Sequence, residues 1–240
     1  MIRSVLVDKI LRTDSNKELE KFGRKGKIYT FLNPVSYLDA LNHVQLFSQF
    51  DGIFADGSLL VGAIKLLYWK KVKRYSFDMT SVAPILFNYA SDNGKTIYVV
   101  ASRQEQIEKA AEILKQRYSE LCFVGLRNGY FNNEEEIEDE VKKIVSVNPD
   151  FLIVGMGIIK QETFLLRAKD AGFQGIGFTC GGFIHQTAQD QIDYYPAWID
   201  KYNLRFLYRM YKEPHTRKRY LKAGFVFPWK FVSERFFGQE

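Results

Sequence analysis

The chain has 240 residues, 46% of them hydrophobic, and a formal net charge of +6. This describes one large domain, or one domain with an appendage, with enough apolar side chains to bury a core. Two cysteines, Cys122 and Cys180, give neither a disulfide framework nor zinc-ligand spacing and are expected as buried thiols in a reducing cytoplasm; charges inside Met1–Ile10 and the lack of a long apolar run leave neither a signal peptide nor a spanning helix expected. In chain order, Lys27–Leu32 reads as a first strand and stops at Asn33-Pro34. Gly52–Ala55 is a second, ending at Asp56-Gly57 ahead of a helical stretch over Ser58–Tyr68. Thr96–Ala101 follows the turn Asp92-Asn93-Gly94, and Leu121–Val124 ends at Gly125. Phe151–Val154 ends at Gly155-Met156-Gly157, and Gly175–Phe178 ends near Gly181-Gly182.

Short continuous apolar runs fit parallel strands buried on both faces. Between them, Arg103–Tyr118 places Ile107, Ala110, Ala111 and Leu114 on one helical face, and Glu134–Val147 does the same with Ile137, Val141, Ile144 and Val145. Strand–helix alternation predicts right-handed βαβ units. The expected fold class is therefore α/β, with a Rossmann-like, doubly wound, mostly parallel sheet over residues 1–195. Residues 196–240 form a helical, basic-aromatic C-terminal appendage, helical to about Ala223 and then broken at Gly224 and Pro228.

The net charge sits in that appendage. Residues 200–240 hold ten Lys/Arg against four acids, so the preceding residues balance to zero. Its cations alternate with Phe206, Tyr211, Phe225, Trp229, Phe236 and other aromatic side chains. That mixture suits a bilayer with anionic headgroups, and otherwise nucleic acid.

In open α/β sheets ligands bind beyond the carboxyl ends of the strands. Asn33, Asp56, Gly155, Gly157, Gly181 and Gly182 all fall at such ends. Asp56 reads as a general base or as the N-cap of the helix that follows. Gly155-x-Gly157 lacks the third glycine of a dinucleotide fingerprint but allows backbone to approach a phosphate at the next helix N-terminus. Lys160-Gln161-Glu162 open that helix and either face a ligand or form a solvated first turn. His43 reads as a helical surface residue, His185 as a pocket border and His215 as structural. Three isolated histidines make no metal site. An enzyme working without metal needs arginines to meet a leaving diphosphate, and Arg74, Arg209, Arg217 and Arg219 are the candidates, set against a solvated basic face for those in the tail.

Read in order, Phe31-Leu-Asn33-Pro34, Ala55-Asp56-Gly57, Arg74 before Asp78, Asn128-Gly129-Tyr130-Phe131, Pro149–Gly157, Lys160-Gln161-Glu162, Gly181-Gly182-Phe183, Tyr195-Pro196-Ala-Trp198 and Leu204–Arg209 with Glu213-Pro214 and Arg217-Lys-Arg219-Tyr220 resemble the WecG/TagA/CpsF bacterial glycosyltransferases. The resemblance runs from end to end. It implies an inverting, metal-independent enzyme without cofactor, moving a sugar, often of N-acetylmannosamine type, from a UDP-sugar to an undecaprenyl-diphosphate-linked acceptor. It places the enzyme in the cytoplasm, peripheral on the inner face of the membrane, in capsule or exopolysaccharide assembly, and allows a homo-oligomer. Carried over by position, Asp56 matches the catalytic base, and Asn33, Arg74 and Gln161 match pocket residues. Arg209, Arg217 and Arg219 match the appendage arginines near the diphosphate. The chain departs from the family at Phe31, Ile159, Arg74–Asp78, Gly181–His185 and Tyr194–Pro196, which concerns donor and acceptor identity more than reaction class. Two rival classes are a non-catalytic membrane or nucleic-acid module and a nicotinamide dehydrogenase. The neutral core speaks against nucleic acid, and the absent third glycine against the dehydrogenase.

Overall fold

A computed structural model describes residues 4–12, 26–189, 198–199 and 204–237, apart from the His215 side chain. The expected boundary at 195/196, with Tyr194, Tyr195 and Pro196, lies outside these residues. Strands β1 (Lys27–Leu32), β2 (Gly52–Ala55), β3 (Thr96–Ala101), β4 (Cys122–Arg127), β5 (Phe151–Gly155) and β6 (Ile176–Thr179) form one sheet. Its order is β2-β1-β6-β5-β3-β4, and every neighbouring pair is parallel. All six carboxyl ends therefore share one edge.

The side-chain period of two divides the core cleanly. Phe54, Ile97, Val99, Ile153 and Phe178 point to one face, under α5 (Val82–Asp92), α6 (Gln104–Arg117) and α9 (Phe183–Ala188). Ile28, Tyr98, Val100, Leu152 and Val154 point to the other, under α7 (Glu134–Val147) and α8 (Lys160–Asp170). At the β1–β2 end of that second face, Leu32, Ile53 and Ala55 meet α1 (Val5–Lys9), α2 (Pro34–Leu41), α3 (Val44–Ser48) and α4 (Ser58–Tyr68).

The described part of the appendage is packed on this end. α10 (Arg205–Lys212) and a 3-10 turn (Pro214–Thr216) lead into α11 (Arg217–Phe237), whose Phe227 and Phe231 join the α2–α4 cluster. Both rings stack edge-on against Tyr37, at 5.6 and 5.2 Å between centroids. The Tyr37 hydroxyl donates to the buried Glu234 carboxylate at 2.6 Å, and Ser4 donates to its other oxygen. Burial first, then the Glu234 charge, pushes the Tyr37 hydroxyl well above its ordinary pKa, so it remains a donor.

Three expectations are corrected. Helix α11 runs unbroken through Gly224 and Pro228. Proline removes only the bond to the carbonyl four residues back, here that of Gly224, and the burial of Phe227 and Phe231 on either side outweighs the loss. Cys122 is exposed, because it opens β4 at the edge of the sheet; Cys180 is buried, as expected. His43 lies in the turn between α2 and α3, not inside a helix, although it is exposed.

Candidate active site

The strand ends enclose a cleft of about 830 Å³. Asn33 enters it from β1, Asp56 from β2, Ser102 from β3, Gly155 and Gly157 from β5, and Gly181 and Gly182 from β6. Arg209 and Arg219 reach it from the appendage helices. Convergence of distant segments on one edge follows directly from the all-parallel sheet.

Asp56 directly follows β2, and α4 begins with Gly57 as its N-cap, without a side-chain capping bond. The Asp56 carboxylate is thus not spent on the helix. It lies 3.8 Å from Arg74, and the two side chains are 32% and 23% exposed. Its pKa is raised from the ordinary 3.8 to about 6, by burial first and then by the neighbouring Asp78 charge, against the opposing charges of Arg74, Arg205 and Arg209. Asp78 moves the opposite way. Burial alone would raise it, but Arg205 at 2.7 Å, with hydrogen bonds from Ser76 and Thr80, brings it below its usual value. Two carboxylates with pKa values driven apart give one group poised to take a proton and one kept as a fixed charge.

Asn33 has a second duty. Its Oδ1 accepts from the backbone N–H groups of Val35 and Ser36 at 2.9 and 3.0 Å, capping α2, while the residue lines the cleft. Arg74 donates to the Ser76 hydroxyl at 3.2 Å. His185 lines the cleft and sits 2.8 Å from Gln106 through Nδ1. Arg209 lines the cleft and pairs with Glu213 at 3.2 Å. Arg219 lines it from an exposed position, 3.8 Å from Asp39. Arg217 is not brought to the cleft: it is exposed and donates to the Met210 carbonyl at 2.8 Å.

At the start of α8, Gln161 and Glu162 are buried and Lys160 is exposed on the cleft rim. Gln161 accepts from the Gly181 N–H at 3.2 Å and donates to Glu162 at 2.8 Å. Glu162 also accepts from the Thr30 hydroxyl and the Ile159 N–H, at 2.8 and 2.6 Å. This network ties the β5 and β6 loops to β1. It also holds Ile159 at a φ of 71°, which a β-branched residue rarely adopts. Gly157 precedes it at 83°. A proline at position 159 would have φ near about −65° and could not follow this path. Burial raises the Glu162 carboxyl above its ordinary value.

The family model for WecG/TagA/CpsF glycosyl transferases matches residues 4–240. The chain belongs to the WecG/TagA/CpsF glycosyltransferase family. It is an enzyme that transfers a glycosyl group. It is 33% identical over 230 residues to the UDP-Gal:alpha-D-GlcNAc-diphosphoundecaprenol beta-1,4-galactosyltransferase of Shigella boydii, covering 95% of this chain and 96% of that one. It is 26% identical over 167 residues to an N-acetylglucosaminyldiphosphoundecaprenol N-acetyl-beta-D-mannosaminyltransferase of Staphylococcus aureus, covering 70% of this chain and 63% of that one.

Sequence reasoning missed three groups in this glycosyltransferase. Arg205 bonds Asp78, and Tyr220 lines a space beside Asp56. Arg205 stands four residues before Arg209, on the same helical face, and that spacing was a usable signal. Asp78 and Tyr220 stood only as positions in the resembling motifs, with no role, because only folding brings them to Asp56. Among the described residues no three His, Cys, Asp or Glu side chains converge on a metal-sized site, and no helix is long and apolar enough to cross a membrane.

Proposed function

We propose that this glycosyltransferase moves a hexose from a UDP-sugar to a polyprenyl-diphosphate-linked sugar, with inversion, in assembly of a cell-surface polysaccharide. The observation that carries the reading is the Asp56–Asp78 pair beside Arg74, Arg205 and Arg209 at the strand ends. Asp56, with a pKa of about 6, is ionised at neutral pH yet basic enough to accept the acceptor hydroxyl proton. The acceptor oxygen then bonds to the anomeric carbon from the face opposite the diphosphate. The bond to the UDP oxygen breaks, and UDP leaves with the electron pair. Arg209 and Arg219 offset its charge, as does backbone N–H at the Gly155–Gly157 turn. Arg217 acts outside the cleft, toward anionic headgroups. His185 and Gly181–Gly182 border the transferred sugar. No metal is needed in this scheme, since guanidinium groups take the role of the cation.

Both relatives are named for GlcNAc-diphosphoundecaprenol acceptors, which makes that lipid the first acceptor to test. Their names differ in the donor sugar, and the likeness over almost the whole Shigella chain favours galactose over N-acetylmannosamine.

Membrane contact falls to α11. Ala223, Phe227, Phe231 and Glu234 are buried on one face, while Leu221, Phe225, Trp229, Val232 and Phe236 are exposed on the opposite one. Lys218 and Lys222 border the outer stripe. A helix apolar on both sides, with lysines beside the outer one, suits the inner face of an anionic membrane. The deciding experiment is transfer from a panel of UDP-sugars to GlcNAc-diphosphate-prenol in the presence of EDTA, for wild type and Asp56→Asn. Transfer by wild type alone supports the scheme. Near-normal transfer by Asp56→Asn removes the base assignment, and a strict metal requirement removes the role given to the arginines.

A further inference from the structure

Beside the cleft lies a second cavity of about 320 Å³, bounded by the first turn of α4 and by α10 and α11. Asn33, Asp56, Asp78 and Arg209 line both spaces, so the Asp56 carboxylate belongs to the wall between them. The two spaces differ in chemistry. The cleft is lined by the strand-end glycines, with Lys160 and Arg219 among its side chains. The smaller cavity has Arg74 and Arg205 beside the acids and half-exposed Leu59 and Phe206 at its mouth. Gly224 also lines it, on the flank of α11 between the buried face and the outer stripe that holds Leu221 and Phe225.

An in-line displacement puts nucleophile and leaving group on opposite sides of the carbon attacked. With the nucleoside diphosphate in the cleft, the attacking hydroxyl must reach Asp56 from the other side. We infer that the second cavity is the acceptor subsite: the sugar and diphosphate of a prenyl-diphosphate-linked acceptor lie against Arg74 and Arg205, and the isoprenoid leaves between Leu59 and Phe206 onto the surface that α11 presents to lipid. This rests on the glycosyl-transfer reading above and adds to it where the second substrate binds. The gradient from cations to apolar side chains matches a ligand that is charged at one end and hydrocarbon at the other.

Gly224 makes the idea testable. Glycine weakens a helix interior, yet a side chain built at this position meets no atom within 4 Å, because that face looks into open space. Gly224→Leu should fill the cavity while favouring the helix. Binding of GlcNAc-diphosphate-geranylgeraniol and of UDP is measured for wild type and Gly224→Leu, with melting temperature and transfer alongside. The expected result is roughly tenfold weaker lipid binding, unchanged UDP affinity and a melting temperature no lower than wild type. Equal lipid binding by both proteins overturns the assignment. So does absence of lipid binding by wild type, or an equal loss of both ligands. Weakened lipid binding without transfer from any UDP-sugar by wild type leaves the subsite standing and refutes the donor reading. Undiminished transfer by Gly224→Leu does the reverse.

Discussion

Changing the charges around Asp56 one at a time should move its titration in opposite directions. Arg74 lies 3.8 Å from the carboxylate. At an effective dielectric near 20, unit charges at that separation attract by about 4 kcal/mol. The two side chains are 23% and 32% exposed, and water at the cleft mouth removes much of this. A residue of about 1.4 kcal/mol corresponds to one pKa unit. Arg74→Gln should therefore raise the Asp56 pKa by about one unit. Asp78→Asn removes the repelling charge and should lower it from about 6 by a comparable amount. The assay is kcat/KM for transfer from about pH 5 to about pH 8, whose acid limb reports the base in the free enzyme. Below its pKa the base is protonated, so activity falls about tenfold per pH unit. Asp78→Asn also frees Arg205, which changes the rate, so the position of the limb is the reading. A wild-type limb at the ordinary carboxylate value, or both variants moving the same way, refutes the electrostatic reasoning. Asp56→Asn should lose about 10²–10⁴ in rate on the plateau above the acid limb, and less as the wild-type base becomes protonated.

The remaining expectations concern the frame. Burial raises the Glu162 pKa above its ordinary 4.5, so the folded state holds that proton more tightly than the unfolded chain does. The stability it contributes is full below pH 4.5 and is lost as pH rises through the raised value. The wild-type melting temperature should accordingly fall relative to that of Glu162→Gln as pH rises toward neutrality, and parallel curves would rule this out. Phe231→Ala opens a void among Tyr37, Tyr68 and Phe227 and should cost about 3–5 kcal/mol in urea unfolding. A value under about 1 kcal/mol would mean that α11 does not share the cooperative core. Tyr37→Phe removes the Tyr37 donor from the buried Glu234, leaving the Ser4 hydroxyl as its side-chain donor among the described residues, and should cost about 1–3 kcal/mol. Phe225→Ser with Trp229→Ser should weaken sedimentation with anionic vesicles by roughly tenfold or more without lowering the melting temperature. Unchanged sedimentation would move the lipid surface elsewhere.

The sheet was legible because its signal is local. Most strands are short apolar runs with turn residues behind them, and Lys27–Leu32, Gly52–Ala55 and Thr96–Ala101 stand where the residues place them, whereas β4 runs through the expected stop at Gly125 to Arg127. A parallel sheet then sends every carboxyl end to one edge, so Asn33, Asp56, Gly155 and Gly181 meet in one cleft. Strand order, the exposure of Cys122 on edge strand β4 and the location of Arg217 outside the cleft depend on which segments pack together. The appendage shows why. Its apolar residues occupy two opposite faces of one helix, and periodicity does not say which face meets protein. Tyr37, Phe227, Phe231 and Glu234 settle that by burying one face, and the same packing overrides Gly224 and Pro228 as helix breakers. The chemistry followed the same division. Asp56 is marked by its place after a strand, but its pKa is set by burial first and then by the charges of Asp78, Arg74 and Arg205, and Arg205 lies 127 residues from the Asp78 carboxylate it holds. Electrostatic fields act through space, so residue type and local pattern mark Asp56 as a candidate base, and only tertiary structure decides its pKa.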